Sequence, residues 1–270
     1  MDSLVSALLK GILEGLTEFL PISSTGHLIL VRDYLPLATG DDAKRIDDLF
    51  DIVVQFPAVL AIVVLYRQRL WNSVRGLREQ RSAWNFWLGL AIAFLPAALA
   101  GLAFHHQIET YLFTPKVIAW ALIVGGLVLL WADRRSGGEC VTKAEETPLS
   151  RAFGIGLCQC LALIPGTSRS GATIIGARFL GLTREAAAEY SFFLALPTMF
   201  AAFIYKFAKA WSQIQWASDG PILLVGGIAS FVSAWIVVAV FIRFIQKHTL
   251  GVFGWYRIGL GLAVLYFAKG

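Results

Sequence analysis

Charge is what this chain has least of. Asp, Glu, Lys and Arg make up 15% of it, where a soluble domain carries about a quarter. That shortage argues against a water-soluble globule, and the 57% hydrophobic share with mean hydropathy +0.67 points to a membrane protein. Cysteine is scarce too. Cys140, Cys158 and Cys160 form no C-x-x-C or Cys/His spacing, so neither a zinc site nor a disulfide framework is supported. Cys158 and Cys160 read as small apolar helix residues. Basic residues exceed acidic ones by 23 to 18, but without the aromatic-interleaved stripe that would suggest a nucleic-acid partner. In a membrane chain such an excess belongs to cytoplasmic loops. The start lacks a basic n-region, and Glu14 and Glu18 interrupt its first apolar stretch, so no secretory signal peptide is expected there.

What the chain does have is a series of apolar runs near the ~20 residues that cross a bilayer. The spans expected from them are 48–66, 84–104, 116–132, 187–206, 222–243 and 252–268. Two further stretches, 3–35 and 150–181, are apolar at both ends and broken in the middle by Pro, Gly and hydroxyl residues. Broken backbone at membrane depth needs protein or a water-filled cavity around it, so both read as re-entrant helix–loop–helix elements. The polar stretch 133–149 is the one linker expected inside a single membrane domain covering 1–270.

The halves on either side of that linker, about 1–132 and 150–270, resemble each other. An offset of 145 residues lays Gly11 on Gly156, Glu14 on Gln159, and Ser23-Ser24-Thr25-Gly26 on Ser168-Arg169-Ser170-Gly171. "FDIVVQFP" (50–57) parallels "YSFFLALP" (190–197), and Trp120 parallels Trp255. Each half then holds one re-entrant element and three spans. Three is odd, so the second half enters the membrane inverted. The expected fold is all-α and polytopic, with six transmembrane helices and two re-entrant elements in an inverted-topology repeat, and a site where the broken helices meet. Five arginines (Arg67, Arg69, Arg75, Arg78, Arg81) put the 67–83 loop in the cytoplasm. The loops at 36–47, 105–115 and 207–221 then fall outside.

The chemistry concentrates in two segments. In "EGLTEFLPISSTGH" (14–27), Glu14 and Glu18 are one helical turn apart, where ionisable groups are costly and usually functional. Ser23, Ser24, Thr25 and Gly26 follow as a capping signal, and a helix N-terminus also takes phosphate. His27 shares a face with Ser24. In "PGTSRSGAT" (165–173), Arg169 lies among Ser168, Ser170, Gly171 and Thr173, and its planar fork suits phosphate oxygens. Two glutamates beside an anion site ask for a cation, and Mg²⁺ binds through one or two carboxylates plus substrate phosphates. His105, His106 and His248 read as loop or interface residues.

These two segments resemble the signatures of the bacterial undecaprenyl-diphosphate phosphatase family, also called the bacitracin-resistance protein family, and the similarity covers essentially the whole chain. The resemblance implies hydrolysis of undecaprenyl diphosphate to the monophosphate carrier used in cell-wall (peptidoglycan) synthesis, with resistance to bacitracin. It implies a divalent cation, Mg²⁺ or Ca²⁺, held at Glu14 and Glu18. It implies catalytic roles for Glu14, Glu18, Ser24, His27 and Arg169, and phosphate contacts from Ser23, Thr25, Gly26, Ser168, Ser170, Gly171 and Thr173. The site should open to the periplasmic side of the inner membrane. The partners implied are the polyprenyl diphosphate and membrane lipid, with a homodimer allowed and no nucleic acid. One departure is "QFP" at 55–57, where Gln-Leu-Gly is expected; it bears on local helix geometry.

Two attack routes remain open: Ser24 as nucleophile, activated by His27 with Glu18 orienting that ring or binding metal, or water with His27 or a glutamate as base. "STGH" (24–27) also looks like the "PSGH" element of membrane phosphatidic-acid-type phosphatases, but the Arg-then-His motif of those enzymes is missing after Arg169. A secondary transporter or flippase for an anion or lipid phosphate is the alternative from another class, because inverted repeats suit transport as well.

Overall fold

A computed structural model describes residues 2–40, 42–134, 138 and 140–267. Among the described residues twelve α-helices carry the fold: α1 (Ser3–Glu18), α2 (Ser24–Val31), α3 (Asp42–Leu65), α4 (Arg67–Gly76), α5 (Arg81–Ala103), α6 (His105–Gln107), α7 (Pro115–Arg134), α8 (Leu149–Gln159), α9 (Arg169–Phe179), α10 (Arg184–Ala210), α11 (Trp216–Lys247) and α12 (Gly251–Phe267). Among the described residues the only strand-like pairing is one bridge between Val141 and Leu182. The protein is an all-α, polytopic membrane protein: α3, α5, α7, α10 and α11 are long and apolar enough to cross a bilayer. The stretch expected to be the sixth span is the helix α12, whose 17 residues reach about 25 Å, short of a ~30 Å hydrocarbon core, so it is a shorter apolar helix beside those five.

Both stretches expected to be broken are broken. α1 and α2 flank the turn at 19–23, and α8 and α9 flank a short 3₁₀ turn and loop at 160–168. None of the four helices exceeds 16 residues. The two loops also share their backbone. Ser23 (φ 69°) and Ser168 (φ 70°) are the only described non-glycine residues with positive φ, and each caps the helix that follows it, through Gly26 N and Gly171 N. Positive φ in a residue with a Cβ is strained and concentrates at functional sites.

Packing places α1. Its small face lies against α11 so closely that a Cβ on Gly11 would sit 2.9 Å from Gly226 Cα, the small-residue contact that lets membrane helices approach. α3 continues through Pro57, and Ser230 of α11 donates to Val54 O at 2.8 Å beside the proline, so the "QFP" departure leaves the helix intact. Gln55 remains on it, facing the cavity described below.

Two expectations change. The 67–83 segment is not simply a loop: it contains α4, and Arg69 on that helix pairs with Glu145 and Glu189. The linker 133–149 lies partly outside the described residues (135–137 and 139). Its described part does not hang free, since Val141, Ala144 and Thr147 are buried and Thr183 N donates to Val141 O.

Candidate active site

The broken elements meet. Glu18, the last residue of α1, receives the Ser24 hydroxyl on Oε2 at 2.7 Å and Arg169 Nη2 on Oε1 at 3.1 Å. Ser24 and Arg169 are each the first residue of a helix, α2 and α9. Arg169 also donates to Ser191 O at 3.0 Å, and its guanidinium lies 5.6 Å from the centre of the Phe19 ring. One carboxylate thus holds a hydroxyl and a fixed cation side by side, with two helix N-termini behind them.

These groups line a cavity of about 540 Å³. Ser23, Thr25 and Ser168 line it with Glu18, Ser24 and Arg169. Gln55, Gln159 and Thr198 add polar groups, and Phe94, Ala97 and Ala202 apolar ones. His105, Glu109, Phe113, Tyr205 and Lys206 also border it. His105 is therefore more than a loop residue: it borders the cavity, 3.5 Å from Glu109.

Other expected contacts sit behind the wall. Ser170 is fully buried and donates to Leu20 O at 2.8 Å, joining the second loop to the first. Thr173 is fully buried, donating to Arg169 O at 2.9 Å and meeting Ser191 Oγ at 2.6 Å. The amides of Gly26 and Gly171 are taken by Ser23 and Ser168. All four shape the loops and do not line the cavity.

His27 faces away from Ser24. Its Nδ1 lies 2.7 Å from Ser23 O and its Nε2 2.7 Å from Tyr256 OH, with the two rings stacked. A carbonyl can only accept, so Nδ1 carries the hydrogen. In the neutral ring Nε2 then accepts from Tyr256. Both nitrogens are engaged, and the ring braces the strained Ser23 backbone.

Glu14 lies one turn below Glu18, fully buried, with both carboxylate oxygens lacking a hydrogen-bond partner among the described residues. Glu18 and Asp51 are its electrostatic neighbours. A buried orphan carboxylate is costly, and its hard oxygens suit a divalent cation. No group of three His, Cys, Asp or Glu that could hold a metal ion forms among the described residues; Glu18 lines the cavity, whereas Glu14 is buried behind it.

Reasoning from sequence missed Tyr256, Ser191 and Thr198, which carried no local signal. Gln159 was visible only as the repeat partner of Glu14.

The model of the bacitracin resistance protein BacA family matches residues 7–263. Undecaprenyl-diphosphatase 1 of Chromobacterium violaceum is 50% identical over 262 residues, covering 97% of this chain and 95% of that protein. The undecaprenyl-diphosphatases of Nitrosospira multiformis (50% identical, 97% and 94% covered) and Ectopseudomonas mendocina (48%, 96% and 92%) are similarly related. With nearly its whole length matched and half its residues shared, the chain belongs to the BacA bacitracin-resistance protein family.

Proposed function

We propose that this protein is a phosphatase that hydrolyses undecaprenyl diphosphate to undecaprenyl phosphate and inorganic phosphate, recycling the lipid carrier for peptidoglycan synthesis and conferring bacitracin resistance. The observation that carries the reading is the Glu18 carboxylate, shared between the Ser24 hydroxyl and Arg169 in the lining of a largely apolar cavity. The names of the relatives support hydrolysis over transport.

Ser24 Oγ attacks the terminal phosphorus and passes its proton to Glu18, which is already in hydrogen-bond contact. A bond forms from Oγ to phosphorus, the bridging P–O bond breaks, and lipid monophosphate leaves. Glu18 passes that proton to the departing lipid monophosphate; water then attacks the phosphoserine, giving one hydrogen to Ser24 Oγ and its hydroxyl to phosphorus, and phosphate leaves. Arg169 and the N-terminal ends of α2 and α9 stabilise charge on the transferred group. Glu14 and Glu18 would hold a divalent cation, Mg²⁺ or Ca²⁺, which when bound offsets repulsion between carboxylates and phosphates. His27 holds the Ser23 carbonyl and takes no proton from Ser24.

The membrane arrangement belongs to the same proposal. α12 completes six spans, α1–α2 and α8–α9 are re-entrant from opposite faces, and the halves are an inverted repeat. The arginines near α4 lie inside. His105, Glu109 and Lys206 line the cavity and lie toward the ends of α5 and α10 away from Arg81 and Arg184, which supports opening to the periplasmic side of a bacterial inner membrane. The polyprenyl chain lies along the apolar wall.

The deciding experiment is phosphate release from purified, detergent-solubilised protein, with chelator and metal add-back. Hydrolysis needs no second compartment and transport does. Absence of release with any divalent cation removes the phosphatase reading.

A further inference from the structure

Arg257 of α12 is a fully buried arginine, and among the described residues no carboxylate lies within ion-pair distance of it. A guanidinium stays charged in proteins, and burying a charge unpaired is expensive. Its donors go to backbone oxygens instead. Nη1 donates to Pro21 O at 3.3 Å and Nη2 to Gly166 O at 3.1 Å, while Nη2 and Nε also reach Ala121 O (3.1 Å) and Leu122 O (3.4 Å) on α7.

The first two acceptors are related. Pro21 and Gly166 stand 145 residues apart, the offset that also relates Ser23 to Ser168. Each lies two residues before a serine with positive φ. One guanidinium therefore grips equivalent points of both cavity-facing loops, just ahead of the strained residue that starts each helix. Space for it is made on purpose: a Cβ on Gly125 would sit 2.7 Å from Arg257 Cζ, and one on Gly171 would sit 2.7 Å from its Nη1. Apolar packing would fill this space with no need of a cation. Carbonyls satisfy the donors but do not neutralise the charge, so a positive field remains behind the loops where an anion would bind.

We propose that Arg257 is a positioning residue, holding the two loops in register so that Ser24 and Arg169 address one phosphate, and adding a fixed positive charge behind them. The second half of this inference rests on the phosphatase reading; the first does not.

Two variants test it. Arg257→Ala removes the clamp, and Gly125→Ala displaces it while keeping the arginine. Hydrogen–deuterium exchange on the intact protein reads loop order without activity. Peptides covering 19–26 and 163–171 should both exchange faster in each variant. Turnover of lipid diphosphate should fall roughly 100-fold, the cost of a misplaced constellation, with KM little changed. Millimolar guanidinium should restore part of the Arg257→Ala turnover, whereas urea, a neutral isostere, should not. Unchanged exchange in either loop, near-normal turnover, or failure of guanidinium to rescue overturns the proposal. If Arg257→Ala does not fold, Gly125→Ala decides. If the wild type releases no phosphate, the phosphatase reading fails, and loop exchange alone still decides the clamp.

Discussion

The Ser24 hydroxyl donates to Glu18 across 2.7 Å, and the other oxygen of that carboxylate accepts from Arg169. Glu18 is therefore placed to do two things at once. It can take the serine proton, and it holds the guanidinium beside the same cavity.

If Glu18 is the base, Glu18→Gln should keep the fold and lose roughly 10²–10⁴ in kcat, the usual weight of general-base catalysis. Phosphate release at saturating substrate checks this. A variant within a few-fold of wild type would return the base role to water or another group.

The nucleophile has its own signature. Ser24→Ala should abolish measurable turnover, and rapid acid quench of the wild type should trap a phosphoserine at position 24. A residual rate in Ser24→Ala near that of the wild type, with no phosphoenzyme, would mean that water attacks directly.

Arg169→Ala should lose roughly 10²–10³ in kcat, as removal of one transition-state donor does. Arg169→Lys should recover little, because one ammonium cannot serve Glu18, Ser191 O and a phosphate as the fork does. Thermal unfolding of both variants separates this from simple destabilisation. Wild-type turnover in Arg169→Ala removes the residue from the site.

His27 braces Ser23 through Nδ1–H, so an amide that donates from a similar place should replace it. His27→Asn should stay within about tenfold of wild type, the worth of an adjusted hydrogen bond, whereas His27→Ala should fall further. Tyr256→Phe should cost a similar small factor by leaving Nε2 without its donor. If His27→Asn is as inactive as Ser24→Ala, the ring takes part in proton transfer.

Orientation is checked by labelling. In a background without Cys140, Cys158 and Cys160, Ser82→Cys should react from the cytoplasmic side and Glu109→Cys from the periplasmic side; both positions are exposed. The reverse pattern would invert the assignment made from the arginines.

Much of this was legible in the sequence because it depends on local order. The scarcity of charge placed the chain in a membrane. Proline, glycine and hydroxyls within apolar runs marked where α1–α2 and α8–α9 break, since a helix cannot run through such a loop. The 145-residue offset paired Ser23 with Ser168, and the structure gives both the same backbone. Glu18 and Arg169 stood out because ionised groups in apolar segments need partners. The arginines at 67–83 were read as a count of charge, which says nothing of periodicity, and α4 went unseen.

What only the tertiary structure decided is which face each residue presents to which neighbour. His27 shares a helix face with Ser24, yet packing turns it onto Tyr256, 229 residues away. Ser170 and Thr173 belong to the second signature, yet helix rotation sends them into the protein and leaves Ser168 and Arg169 at the cavity. Arg257 sits in an ordinary apolar helix, and only the docking of α12 on α7 brings it under both loops. Composition and spacing report the cost of putting a group in a membrane. The partner that meets the cost is set by helix packing across more than 200 residues, where no local pattern reaches.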